Sequence, residues 1–108
     1  MFTISGFDLS LTRGDNATFR VSLKSLDGQP ITLGENDELM FSVKKNAKST
    51  EKLISIISDE NGSFSIEPQH TSGLKFGTYR YDVQLTTYDG RVYTVIPVSI
   101  FKVCEEIS

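Results

Sequence analysis

The sequence predicts an all-β domain: an antiparallel two-sheet sandwich of seven or eight strands. Three observations predict it. Apolar and polar residues alternate in run after run, as where Tyr79, Tyr81, Val83 and Leu85 interleave with Arg80, Asp82, Gln84 and Thr86. A period of two is the signature of a strand with one buried face. Turn dipeptides, Asp27-Gly28, Asn61-Gly62 and Asp89-Gly90, separate the runs and favour tight reversals. No window carries the 3.6-residue period of an amphipathic helix.

Each element follows from the same grammar. Phe7, Leu9 and Leu11 alternate with Asp8 and Ser10 as a first strand, closed by the turn residues Thr12 to Asn16. Ala17, Phe19, Val21 and Leu23 make a second, ending at Asp27-Gly28, and Pro30 to Leu33 reads as a brief edge strand. After the polar loop Gly34 to Asp37, Leu39, Phe41 and Val43 point inward, with Met40, Ser42 and Lys44 outward. Asn46 to Lys52 is the most polar stretch and reads as a mobile loop. Leu53 to Ser58 is a strand of ambiguous facing, since Ile54 and Ile56 compete with Leu53 and Ile57.

Asn61-Gly62 signals a hairpin into a strand whose inward residues are Phe64 and Ile66. Pro68 to Leu74 breaks the rhythm and reads as one helical turn with Leu74 and Phe76 tucked beneath it. The final hairpin runs from Gly77 to Val103 around Asp89-Gly90, and Pro97 marks a bulge or edge position in its second arm. The predicted core is Leu9, Phe19, Val21, Leu23, Leu39, Phe41, Val43, Phe64, Ile66, Tyr81, Val83 and Leu85.

At 108 residues the chain reads as one domain spanning 1–108, long enough to bury a core without disulfides or metals. Its net charge of −3 argues against nucleic acid, which needs a basic face. The only basic cluster, Lys44, Lys45 and Lys48, is diluted by Asp37 and Glu51. A lone Cys104 cannot form an internal disulfide, so a reducing compartment is permitted. Met1 to Gly6 has no signal-peptide character. The apolar run Val92 to Phe101, broken by Thr94, Pro97 and Ser99, is too short and polar for a membrane helix. Synthesis in the cytoplasm is the expectation.

Candidate chemistry is sparse. The single His70 sits in a turn with no cysteine near it in sequence, and reads as a capping or surface residue. Asp59-Glu60-Asn61-Gly62 and Glu35-Asn36-Asp37-Glu38 are acidic clusters without calcium-loop spacing, so they read as turns; a shared cation would require the two loops to meet. Arg13-Gly14-Asp15 spells an adhesion tripeptide and reads as a turn. Tyr79 and Tyr81 belong to the core or its rim, and Tyr88 and Tyr93 flank a turn as cross-strand neighbours. No catalytic, cofactor-binding or metal-ligating residue is assigned, and no enzyme activity is expected.

Three segments taken in order carry a resemblance. Leu11-Thr12-Arg13-Gly14-Asp15-Asn16 opens into the strand Thr18 to Leu23. Asp27-Gly28-Gln29-Pro30-Ile31-Thr32-Leu33 leads through a polar loop into Leu39 to Lys45. Asn61-Gly62-Ser63-Phe64-Ser65-Ile66 runs through Pro68-Gln69-His70-Thr71 to Gly77 to Leu85. This order, covering roughly Leu9 to Val103, resembles the N-terminal Ig-like domain of phage baseplate upper proteins. The resemblance implies an Ig-like sandwich and a phage or prophage virion structural protein of the tail or baseplate. Such a protein is made in the bacterial host cytoplasm and docks on other virion proteins or on copies of itself. In that family a longer C-terminal portion follows the domain, so a stand-alone protein and a piece of a longer one both remain open here. The alternative is an extracellular Ig-like binding module, an adhesin or a carbohydrate-binding domain.

Overall fold

The computed structural model describes residues 2–24 and 27–105. Among them the chain forms ten strands and one short helix: β1 (Phe2–Ser5), β2 (Asp8–Thr12), β3 (Ala17–Arg20), β4 (Leu23–Lys24), β5 (Pro30–Ile31), β6 (Glu38–Lys44), β7 (Ile54–Ile57), β8 (Ser63–Ile66), α1 (Pro68–Thr71), β9 (Gly77–Thr86) and β10 (Val92–Cys104). Six strands make one sheet in the order β1-β2-β10-β9-β6-β7. β3 and β8 pair in a second sheet, and β4 and β5 in a third. The molecule is all-β and sandwich-like.

The alternating residues explain why two layers form. In the large sheet Phe41, Val83 and Ile96 lie in one cross-strand row, and Leu9, Phe101 and Tyr79 in another. Each row presents its side chains to the same face. Phe19 of β3 and Phe64 of β8 are paired in register and cover that face. Their rings lie 5.3 Å apart, and Phe19 meets the Phe41 ring edge-on at 5.4 Å. Phe41 also contacts Tyr81 at 5.2 Å and Phe101 at 5.9 Å. These are the offset and tilted geometries aromatic rings prefer, each adding about 0.5–1.5 kcal/mol beyond simple burial. Phe41 is therefore the hub of the core.

The predicted core is buried apart from Leu23 and Leu85, which are half-buried at its margin. Leu11, Ala17, Ile54, Tyr79, Phe101 and Val103 join it. The facing of β7 resolves to Ile54 and Ile56 inward, leaving Leu53 and Ile57 exposed.

Five expectations are corrected. The sheet is mixed, because β2 runs parallel to β10 through Leu9↔Phe101 and Leu11↔Val103. Strands number ten among the described residues, with β1 antiparallel to β2, and Phe7 lies in the turn between them. The strand read across Ala17 to Leu23 breaks after Arg20: Val21 donates its amide to the Gly62 carbonyl at 2.9 Å, and Leu23 starts β4 against β5.

Asn61-Gly62 is a tight turn but not a hairpin, since it carries the chain from β7 in the large sheet to β8 in the other layer. Gly62 has φ +79°, and a Cβ there would stand 2.7 Å from the Val21 carbonyl. That close crossing, more than strand pairing, demands the glycine. Finally, Phe76 is not tucked under α1 but exposed, with the Arg13 guanidinium 4.3 Å above its ring.

Candidate functional site

β10 is one strand with two different neighbourhoods. From Phe101 to Cys104 it lies between β9 and β2. From Val92 to Val98 its ladder is with β9 alone, because β2 begins only at Asp8. The Asp8 carboxylate accepts the Ile100 amide at 3.2 Å where the parallel pairing ends. Beyond that point one edge of the strand has no partner strand among the described residues. Of two register shifts, the one between Thr94 and Ile96 falls at Val95 and the one between Ile96 and Ser99 spans Pro97, whose missing amide cannot join a ladder.

The open stretch is apolar. Val92, Tyr93 and Val98 are 57%, 49% and 53% exposed. No charged residue occurs from Val92 to Ile100. Beside it β1 exposes Ile4 and the β1–β2 turn exposes Phe7. Together with Val95 and Ile96 these residues border a cleft of about 340 Å³ whose floor includes Phe19 and Tyr81. The Tyr81 hydroxyl donates to the Phe7 carbonyl. Burial, helped by the nearby Asp8 charge, pushes its phenol up to about 12. The Tyr81 hydroxyl thus acts as a neutral tether fixing the turn that forms one lip of the cleft.

The sequence-derived candidates fall elsewhere. His70 caps its own turn, its Nδ1 accepting the Glu67 amide at 2.8 Å. The tripeptide at Arg13 is folded into the body. Arg13 donates to the Leu74 carbonyl at 3.4 Å, and the Gly14 amide donates to Thr71 Oγ1 at 3.1 Å. The buried Thr71 thereby ties the β2–β3 turn to α1. Cys104 Sγ lies 3.1 Å from Ser10 Oγ.

The two acidic loops do meet, lining one cleft that includes Glu35, Asp37, Asp59 and Glu60. Their key carboxylates already serve the backbone. Asp37 accepts the Gly34 and Tyr88 amides, and Asp59 accepts those of Asn61 and Ser63. Among the described residues no three metal-ligating side chains are grouped to hold an ion.

Tyr79 and Tyr81 are buried, the former donating to the Lys75 carbonyl at 2.7 Å. Tyr88 and Tyr93 are not cross-strand partners. Tyr93 faces Leu85, and Tyr88 stands 80% exposed in the turn after Thr87. That turn is pinned by Asp89, whose carboxyl is held below the ordinary carboxylate range first by the Thr87 hydroxyl and then by the Arg91 amide. What sequence reading missed is the exposed pair Ile4 and Phe7. An alternating pattern gives a residue's facing but not whether a second layer reaches it. No family model and no curated protein matches this chain.

Proposed function

We propose that the chain is an Ig-like sandwich serving as a contact-making structural subunit of a phage or prophage virion, in its tail or baseplate. The Ig-like part of the reading is supported by strand order. β10, β9, β6 and β7 stand where a variable-type domain has G, F, C and C′, and β3 pairs with β8 as B does with E in the opposite layer. Tyr79, near the start of β9 and bonded to the carbonyl four residues upstream, stands where that fold has its tyrosine corner. The virion part rests on the resemblance carried by Leu11 to Asn16, Asp27 to Leu33 and Asn61 to Ile66.

The observation that carries a docking role is the uncovered apolar edge of β10 and its cleft. Contiguous apolar surface of this kind marks contact sites. Its partners are other virion proteins or copies of the same chain. The test is mass spectrometry of particles purified from an induced host. Peptides of this chain are expected at constant stoichiometry with tail proteins. Their absence from intact particles, or a gene position inside a cell-wall operon, overturns the assignment.

A second reading, an extracellular saccharide-binding module, is favoured by one observation, the exposure of Tyr88 and Tyr93. A glycan array decides it: reproducible binding that disappears in Tyr88→Ala and Tyr93→Ala would replace the virion reading.

A further inference from the structure

We propose that β7, an edge strand of the large sheet, pairs antiparallel with β7 of a second copy about a two-fold axis at Ile56. This goes beyond the docking reading of β10, since it concerns a different strand and names its occupant. β7 has β6 on one side and no partner strand on the other among the described residues. Such an edge offers free amides and carbonyls to any extended segment, and two-fold closure is the commonest arrangement of identical chains.

The strand is regular where pairing needs it to be. Ile54 to Ile57 lie opposite Val43 to Met40 without a register shift. Ser58 donates its amide to the Leu39 carbonyl, so by alternation the backbone groups of Ser55 and Ile57 point away from β6. Centring on Ile56 lets Ser55 of each copy exchange amide and carbonyl bonds with Ile57 of the other. Opposed residues then share a face: Ser55 meets Ile57 on the exposed side, and Ile56 meets its own copy on the core side. Ile57, 53% exposed, gains cover. No charge lies between Leu53 and Ser58 to oppose the pairing.

Charge selects the partner and its direction. Where β7 begins, Lys44, Lys45, Lys48 and Lys52 stand against the single acid Glu51 in residues 44–53, with the end of β6 alongside through Val43↔Ile54. Where β7 ends, Glu35, Asp37, Asp59 and Glu60 line one cleft, and Glu38 starts β6 beside it. An antiparallel copy sets the basic end of each strand against the acidic end of the other, with Lys52 across from Glu60. A parallel copy would stack like charge on like charge, which is destabilising.

A seam this short falls below about 1,200 Å², so the association is weak. Sedimentation equilibrium on the full chain, from micromolar to sub-millimolar concentration, is expected to show a monomer–dimer equilibrium that added salt weakens. Lys52→Glu is expected to weaken it by about three- to tenfold, and adding Glu60→Lys to restore it. Ser55→Pro removes an outward amide that β6 does not use, so the monomer is expected to fold while dimerisation falls by more than about tenfold. In a Cys104→Ser background, Ile56→Cys is expected to form a covalent dimer on mild oxidation, because an antiparallel pair sets those Cα atoms within disulfide reach. Tyr93→Cys, on β10, is expected not to. A chain that stays monomeric throughout overturns the proposal. So does a dimer that survives both Lys52→Glu and Ser55→Pro, or one in which position 93 cross-links and position 56 does not. Each of these leaves the virion assignment to its own test, since a monomer can still be found in particles.

Discussion

The two ends of β10 make the most instructive comparison in this protein. Both are apolar, both pair with β9, and both carry alternating side chains. At Phe101 and Val103 the strand has β2 on its other side and the β3–β8 layer overhead, and those residues are fully buried. At Val92 and Tyr93 it has neither among the described residues, and about half of each side chain meets solvent. Periodicity therefore creates an apolar face, while a second layer decides whether that face becomes core or contact surface.

Substitution by alanine should separate the two ends sharply. Phe41→Ala, at the hub shared by Phe19, Phe64, Tyr81 and Phe101, is expected to lose about 3–5 kcal/mol in urea unfolding. Phe101→Ala should fall in the same range. Tyr93→Ala, measured at concentrations too low for association, should stay within about 0.5 kcal/mol of the parent. A large loss at Tyr93 would break the comparison.

Glycine turns sharpen it at the next level. Gly62 and Gly90 share a left-handed backbone, φ +79° and +86°, but only Gly62 has a carbonyl where a Cβ would go. Gly62→Ala is expected to cost about 2 kcal/mol or more, and Gly90→Ala about 1 kcal/mol. Equal thermal shifts for the two variants would mean that the crossing between layers is looser than its geometry.

The smallest effect concerns Tyr81, which joins the covered core to the exposed turn. Tyr81→Phe loses one hydrogen bond to the Phe7 carbonyl, about 1 kcal/mol. The phenol lies near 12 in the folded chain against an ordinary value of 10, so folding holds its proton. Its stabilisation is complete below pH 10 and declines as pH rises from 10 to 12. Urea midpoints across that range should fall more steeply for the parent than for Tyr81→Phe. Parallel curves would show that the phenol is not held in this way.

What the sequence revealed divides along the same line. Inward facing within β6, β8 and β9 was legible, because a period of two is written in neighbouring residues such as Leu39, Phe41 and Val43, but Ser42, read as outward, is buried. The bulge at Pro97 was legible too, since a missing amide acts locally. Which strands meet was not. The break after Arg20 depends on a bond from Val21 to Gly62, and the parallel join of β2 to β10 depends on residues at opposite ends of the chain. The uncovered edge follows from where β2 starts relative to β10, so no local pattern announces Ile4 and Phe7 as surface. The His70 cap, the folded Arg13 turn and the burial of Tyr79 and Tyr81 agree with the structural readings of those residues.

The join between β2 and β10 governs when the fold can close. Ser10 and Cys104, neighbours in space, stand 94 residues apart, so a nascent chain leaving the ribosome holds β2 without its inner partner until β10 emerges. Contacts of such long sequence separation place the molecule among slow folders, in milliseconds to seconds. During that interval Leu9 and Leu11 wait uncovered, and it is then, rather than in the finished domain, that the protein is most vulnerable to aggregation.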